Sequence, residues 1–415
     1  MRWRAHPLRA LTPHSLEAAV LLNGVTLGLV TLTYPLLLAA RGATKAQVTG
    51  LFVLDALVVM ALNFSRLPRS ALRRPGLFRV AQFLGAAGLA LVGVSRELPL
   101  MYLGAGASMT TSLVFPVSVA KASERNEERG RTSMIASLRA FFTAGYVAGT
   151  GLFGLLSLLR DPIAEALRPA YVASACTLAA AVVLSFLPSS KLFSKHHDVL
   201  KPRDRSVAPG VLKASLASRR TSHSGAGWLV VPSAAAAIVF LKAADSMRSV
   251  YLPLYALHSG VHAPLISLLF LFTGVGKIAV LPLLGRLGDW LGATASLLVV
   301  CAAGVVSFSL VLLGRHYWFL LAAQGVYAVY AAGFQAVGMA LLGSVLGEVA
   351  RGAAVYTAVA QSGSLAGVLA PLAMPGYSSS MFLLAIASCS LAAGSLAVCR
   401  TSMSRLRRQL GTAAV

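Results

Sequence analysis

The feature that most limits what this chain can become is a series of twelve apolar runs. They lie at roughly 16–40, 46–64, 77–95, 99–120, 133–159, 170–188, 229–256, 264–284, 293–313, 318–346, 353–374 and 379–398. A helix needs about 20 mostly apolar residues to cross the hydrocarbon of a bilayer. Without water to satisfy the backbone there, only helices and closed barrels can span it. The runs therefore predict an all-α integral membrane protein with twelve transmembrane helices. Composition agrees: 57% of residues are hydrophobic and 12% charged, against about 25% charged in soluble domains. The four cysteines, Cys176, Cys301, Cys389 and Cys399, lie in or at the ends of apolar runs without CxxC spacing. They read as packing residues, not as a disulfide or a metal site.

A formal net charge of +23 would suggest a nucleic-acid partner in a soluble protein. Here the cations cluster in short segments between apolar runs, with no nucleic-acid motif and no basic segment interleaved with aromatics. One side receives Arg2, Arg4 and Arg9; Arg66, Arg69, Arg73 and Arg74; Lys121, Arg125, Arg129 and Arg131; the 189–228 segment; and Arg405, Arg407 and Arg408. The other side holds only a few, such as Arg41, Lys45, Arg96, Arg160, Arg168 and Arg315. By the positive-inside rule both termini face the cytoplasm of a cell inner membrane. The basic start MRWRAHPLRALTPHS then leads into an uncleaved first helix. Residues 189–228, the one long hydrophilic stretch, read as a cytoplasmic basic linker lying along an anionic leaflet. The chain divides into an amino-terminal six-helix half at 1–188, that linker, and a carboxy-terminal half with its tail at 229–415.

Internal similarity supports two related halves. RGRTSMIASLRAFFTAG (129–145) in the fifth run parallels RGAAVYTAVAQSGSLAG (351–367) in the eleventh, and in each a glycine follows the opening one by fifteen positions: Gly130 to Gly145, and Gly352 to Gly367. TLTYPLLL (31–38) in the first run likewise parallels SVYLPLYA (249–256) in the seventh. Two six-helix halves related as parallel repeats are the layout of the major facilitator superfamily (MFS).

The specific motif is GRLGDWLG (285–292), between the eighth and ninth runs. It resembles the superfamily's signature loop, Gly-x-Leu-x-Asp-Arg-x-Gly, with Gly285, Leu287, Asp289 and Gly292 matching and Trp290 where a basic residue is usual. The resemblance implies a conformational latch formed by Gly285, Asp289 and Gly292, with Asp289 near a helix N-terminus. An ordinary helix-capping aspartate is the plain alternative. The corresponding stretch of the first half, NFSRLPRSALRRPG (63–76), has the basic residues but no aspartate. Within the superfamily, MIASLRAFFTAGYVAGTGLFG (134–154) and SVYLPLYALHSGV (249–261) are most similar to the bacterial sugar efflux transporter group. That group places an acid in its eighth helix, where this sequence has Lys277.

Ionisable residues inside spans are costly and mark functional sites by default. FLKAADSMRSVYLPLY (240–255) carries Lys242, Asp245 and Arg248 inside the seventh run. The three-residue spacing makes them neighbours on one helix side, spanning about 9 Å. A self-neutralising packing cluster is the plain reading, but two cations and one anion leave a formal +1. Two uses are open: proton exchange by Asp245, or a grip on substrate by Lys242 or Arg248, and the two adjacent cations favour the grip. Asp55, in LFVLDALVVM (51–60), has no charged neighbour in its own run and is the better proton carrier, unless it merely pairs with Arg139 or Lys277. Arg139 either contacts substrate or snorkels toward the interface. Uncharged candidates are Asn23, Gln82, Gln324, Gln335 and Gln361, with Tyr251, Tyr327 and Tyr330; amides and aromatic faces suit sugars and polar drugs. Gln361 occupies in the eleventh run the place of Arg139 in the fifth.

No nucleotide-binding loop, metal-ligand spacing or nucleophile constellation stands in the sequence, so neither an enzyme, a cofactor nor an ATP-driven pump is expected. The expected function is secondary active transport: proton-coupled efflux of a small polar sugar-like or drug-like molecule by alternating access. Its partners are that substrate, protons and the lipid bilayer, and the chain is expected to act as a monomer. The alternatives are uptake of an anionic nutrient and a non-transporting membrane sensor or scaffold. Substrate-binding candidates are Lys242, Asp245, Arg248, Arg139, Tyr251, Gln335 and Gln361; proton-coupling candidates are Asp55 and Asp245.

Overall fold

The computed structural model describes residues 15–64, 75–95, 97–113, 131–158, 172, 175–177, 179, 229–314, 316–346 and 349–412. The expected linker and most of the sixth run lie outside these residues. The described chain is helical: α1 Ser15–Ala40, α2 Lys45–Phe64, α3 Pro75–Val94, α4 Leu98–Ser108, α5 Arg131–Leu158, α6 Val230–His258, α7 Ala263–Leu291, α8 Ala293–Leu313, α9 Tyr317–Leu346, α10 Val349–Leu369 and α11 Phe382–Thr412. Helix α6 is thus the seventh apolar run. Nine helices among the described residues are long and apolar enough to cross a membrane, and Val80–Val94 is a shorter apolar helix.

Three boundaries differ from the sequence reading. In the fourth run the α-helix stops at Ser108 and a 3-10 turn over Met109–Leu113 follows. Helix α7 continues through the GRLGDWLG stretch to Leu291, so only Gly292 separates it from α8. The motif is a helix end, not an open loop. Gly292 adopts φ 81° with open space around a built Cβ, a backbone setting that favours glycine for conformational reasons alone. Helix α11 likewise runs on through the basic tail to Thr412, since Arg and Lys are good helix formers once outside the hydrocarbon.

The helices before residue 159 and those after residue 229 pack in the same order. Helix α1 lies against α5 as α6 lies against α10, and α3 against α4 as α8 against α9. The glycines of the sequence parallel make the first of these contacts. A Cβ on Gly145 of α5 would strike the Leu21 carbonyl of α1, and one on Gly367 of α10 would strike the Ala243 carbonyl of α6. Bare backbone permits this approach, and in lipid, where apolar side chains gain little from meeting one another, close packing is a main force holding helices together.

Between the two groups, α5 packs on α7, α2 on α10 and α1 on α6. Several bonds across this seam stand at the cation-poor face. Lys45, at the start of α2, donates its ammonium to the carbonyls of Pro371, Met374 and Gly376 at 2.7, 2.8 and 2.8 Å. Three donors meet three acceptors, just past the end of α10, where the helix dipole favours a cation. Tyr251 of α6 shares a 2.6 Å hydroxyl bond with Thr49, and Ser267 of α7 bonds the Thr150 carbonyl of α5. That face is closed.

Two outcomes follow from this packing. Gly145→Leu or Gly367→Leu should lower unfolding stability in detergent by about 1–3 kcal/mol or more through overpacking. Gly394→Ala, where a Cβ meets open space, should be neutral or stabilising by about 0.5–1 kcal/mol. Lys45→Met should lengthen the distance between spin labels at Glu97 and His262, both exposed on the closed face, as measured by pulsed dipolar spectroscopy. An unchanged distance distribution would deny Lys45 a role in closure.

Candidate functional site

Near the middle of α6 stand Lys242, Asp245 and Arg248, with Asp245 6% and Arg248 3% exposed. The structure divides them. Lys242 Nζ donates to Asp245 Oδ2 at 2.6 Å, and the Tyr327 hydroxyl of α9 donates to Asp245 Oδ1. Both carboxylate oxygens are therefore engaged. Arg248 turns away: its Nε donates to Gln324 Oε1 at 3.0 Å, and a terminal nitrogen donates to Thr273 Oγ1 at 3.0 Å and to Gln324 Oε1. Its guanidinium lies between the rings of Phe270 and Tyr327, 4.1 and 4.2 Å from their centroids. Among the described residues, neutral acceptors and aromatic faces, with no carboxylate, hold this buried cation. The sequence spacing that set Asp245 between two cations overstated its tie to Arg248.

Two further ionisable groups approach from other helices. Lys277 of α7 lies 5.9 Å from the Tyr146 ring of α5 and 5.8 Å from the Tyr327 ring. Asp55, half-buried in α2, feels the charge of Lys242, so Lys242 acts on carboxylates of two different helices. The sequence alternative of a pair between Asp55 and Arg139 or Lys277 is not the arrangement formed. Arg139 donates instead to the Gln335 carbonyl of α9 at 3.4 Å, across the same seam.

A family model described as Major Facilitator Superfamily matches residues 16–371. The chain belongs to the major facilitator superfamily. No curated relative matches significantly. Solved structures of the same fold include a nucleoside transporter, NupG, in a mutant form, with 12% identity and TM-score 0.67 over 94% of this chain and 99% of that one. A peptide transporter, POT, in a mutant form in complex with alafosfalin, has 12% identity and TM-score 0.68 over 98% and 96%. A bacterial homologue of the human lysosomal transporter Spinster, in an inward-facing and unoccupied conformation, has 10% identity and TM-score 0.59 over 97% of both chains.

Within this MFS fold the remaining predicted residues separate. Tyr251 lies six residues beyond Asp245 on α6, and its hydroxyl serves Thr49 and the Val368 carbonyl, the latter at 2.8 Å; it belongs to the closed face. Gln361 and Gln335 are half-buried in α10 and α9, and the carbonyl of Gln335 is what meets Arg139. In the signature motif, the backbone of Gly285, Asp289 and Gly292 is placed, whereas the Asp289 side chain lies outside the described residues, and with it the latch contact. Sequence reasoning passed over Thr273, Phe270 and Tyr146. None bears charge, and only the fold brings them to Arg248 and Lys277.

Gln324→Leu tests the neutral cage around Arg248. Removal of the oxygen that accepts from the guanidinium leaves a buried charge short of partners. Stability in detergent should fall by about 1.5–3 kcal/mol, the usual worth of a hydrogen bond to a charged group, as read by thermal unfolding.

Proposed function

We propose that this chain is a secondary active transporter that moves a small polar molecule by alternating access and couples the movement to protons. The carrying observation is the charge group at mid-depth, drawn from α2, α6 and α7, where the two helix groups meet beneath a closed face. Superfamily membership and the fold shared with nucleoside and peptide transporters support transport in general. In this reading residues 1–188 and 229–415 rock about the central site, and 189–228 link them on the cytoplasmic side. With both termini cytoplasmic the Lys45 face points outward in this reading, and the contacts of Lys45 and Tyr251 across the seam support an outward-closed point of the cycle.

Asp55 is the proton carrier of this scheme. Among the described residues it makes no hydrogen bond or ion pair, and the field it feels is that of Lys242. Protonation of Asp55 leaves Lys242 wholly to Asp245, so a proton on α2 changes the charge seen by α6 across the seam. Export is the direction favoured by the resemblance of 134–154 and 249–261 to the sugar efflux group. Lys242, Asp245 and Arg139 are the substrate-contact residues, with Arg248 fixing the ring of Tyr327 from behind.

Flux in proteoliposomes across a panel of sugars, organic acids and drug-like amines, with an imposed pH gradient, tests the proposal. The wild type should move at least one compound in a gradient-dependent way. Asp55→Asn should lose most of that dependence and keep equilibrium exchange. Gradient-dependent flux that survives Asp55→Asn would remove Asp55 from the scheme, and flux indifferent to the gradient in the wild type would remove the coupling.

A further inference from the structure

The geometry points to an anionic cargo, a carboxylate or a phosphate, seated on Lys277 between Tyr146 and Tyr327. This deepens the transport reading above and rests on it. Each of the other cations of the seam already has an acceptor from the chain itself. Lys242 holds Asp245, Arg248 is caged by Gln324 and Thr273, and Arg139 reaches the Gln335 carbonyl. Lys277 differs from them. It sits near the middle of α7, and among the described residues no oxygen accepts any of its three ammonium protons. Its two aromatic neighbours lie near the 6 Å limit of cation–π attraction and compensate it weakly.

Asp245 is the carboxylate whose charge Lys277 feels, but both of its oxygens are engaged by Lys242 and Tyr327. Lys242, Arg248, Lys277 and Arg139 outnumber Asp245 and Asp55, so positive charge at the seam exceeds the carboxylates that the described residues supply. An unpaired ammonium at bilayer depth is costly, and a bound oxyanion would supply both the missing charge and the missing acceptors. The site is bipartite, because Tyr146 comes from the amino-terminal group and Lys277 and Tyr327 from the carboxy-terminal group. A ligand held there touches both parts that alternating access must move. The flanking rings offer flat apolar faces to the body of the cargo, suiting a ring or sugar face beside the charged group.

The test uses the purified full chain in detergent and three probes on one scaffold: glucose, glucuronate and glucose 6-phosphate. Thermal unfolding and titration calorimetry read binding. Glucuronate, glucose 6-phosphate or both should stabilise the wild type while glucose does not, and whichever binds names the anion as carboxylate or phosphate. Lys277→Gln should weaken the anion by about tenfold or more, the loss of one charged hydrogen bond, and Lys277→Arg should restore part of it. Equal stabilisation by glucose and glucuronate, or none by either anion, overturns the proposal, and this comparison needs no variant to fold. Anion binding that persists unweakened in Lys277→Gln overturns the seat. Anion binding without flux in proteoliposomes would instead overturn the transport reading and leave the anion seat standing.

Discussion

In hydrocarbon a polar group either finds its partner inside the protein or costs several kcal/mol, and this one constraint orders the structure at every scale. It makes the described spans helical, since a helix satisfies its own backbone. It makes glycine the contact residue at α1–α5 and α6–α10, because close approach of backbones replaces the absent hydrophobic drive between helices. At the level of single side chains it accounts for the company that each buried charge keeps.

These charges follow three different solutions. Asp245 takes an ion pair and a phenol, Arg248 takes an amide, a hydroxyl and two ring faces, and Lys45 takes three carbonyls past a helix end. The solutions differ in how readily they can be undone. The Arg248 cage lies wholly within the carboxy-terminal group. The Lys45 contacts join the two groups, so they must break if the face they seal is to open. Lys242 falls between these cases, bonded within its own helix while acting on Asp55 across the seam. The same kind of charge is thus held within one helix group at Arg248, shared across the seam at Lys45 and left with ring neighbours at Lys277.

How much of this was legible in the sequence depends on how local each feature is. The helices could be read because each is set by a run of its own residues, and most boundaries agree with the runs within a few positions, from α1 at Ser15–Ala40 to α8 at Ala293–Leu313. The glycine parallel was legible for the same reason, being a fixed spacing on one helix. The signature motif was recognised but read as a loop, whereas the helical backbone of α7 continues through it to Leu291.

Partner choice was another matter. The sequence by itself determined a multi-span helical protein, charges at mid-depth on the seventh and second runs, and two similarly built halves. Only the tertiary structure decided that Asp245 belongs to Lys242 and not Arg248, that Arg248 belongs to Gln324 at a separation of 76 residues, and that Lys45 closes a face 326 residues away. It also decided that the Tyr251 hydroxyl bonds Thr49 across the seam and that Lys277 faces rings in place of an acid. The reason is physical. Helix spacing ranks neighbours on one cylinder, whereas a buried charge chooses among every group that the packing of several cylinders brings within about 3 Å, the reach of a hydrogen bond.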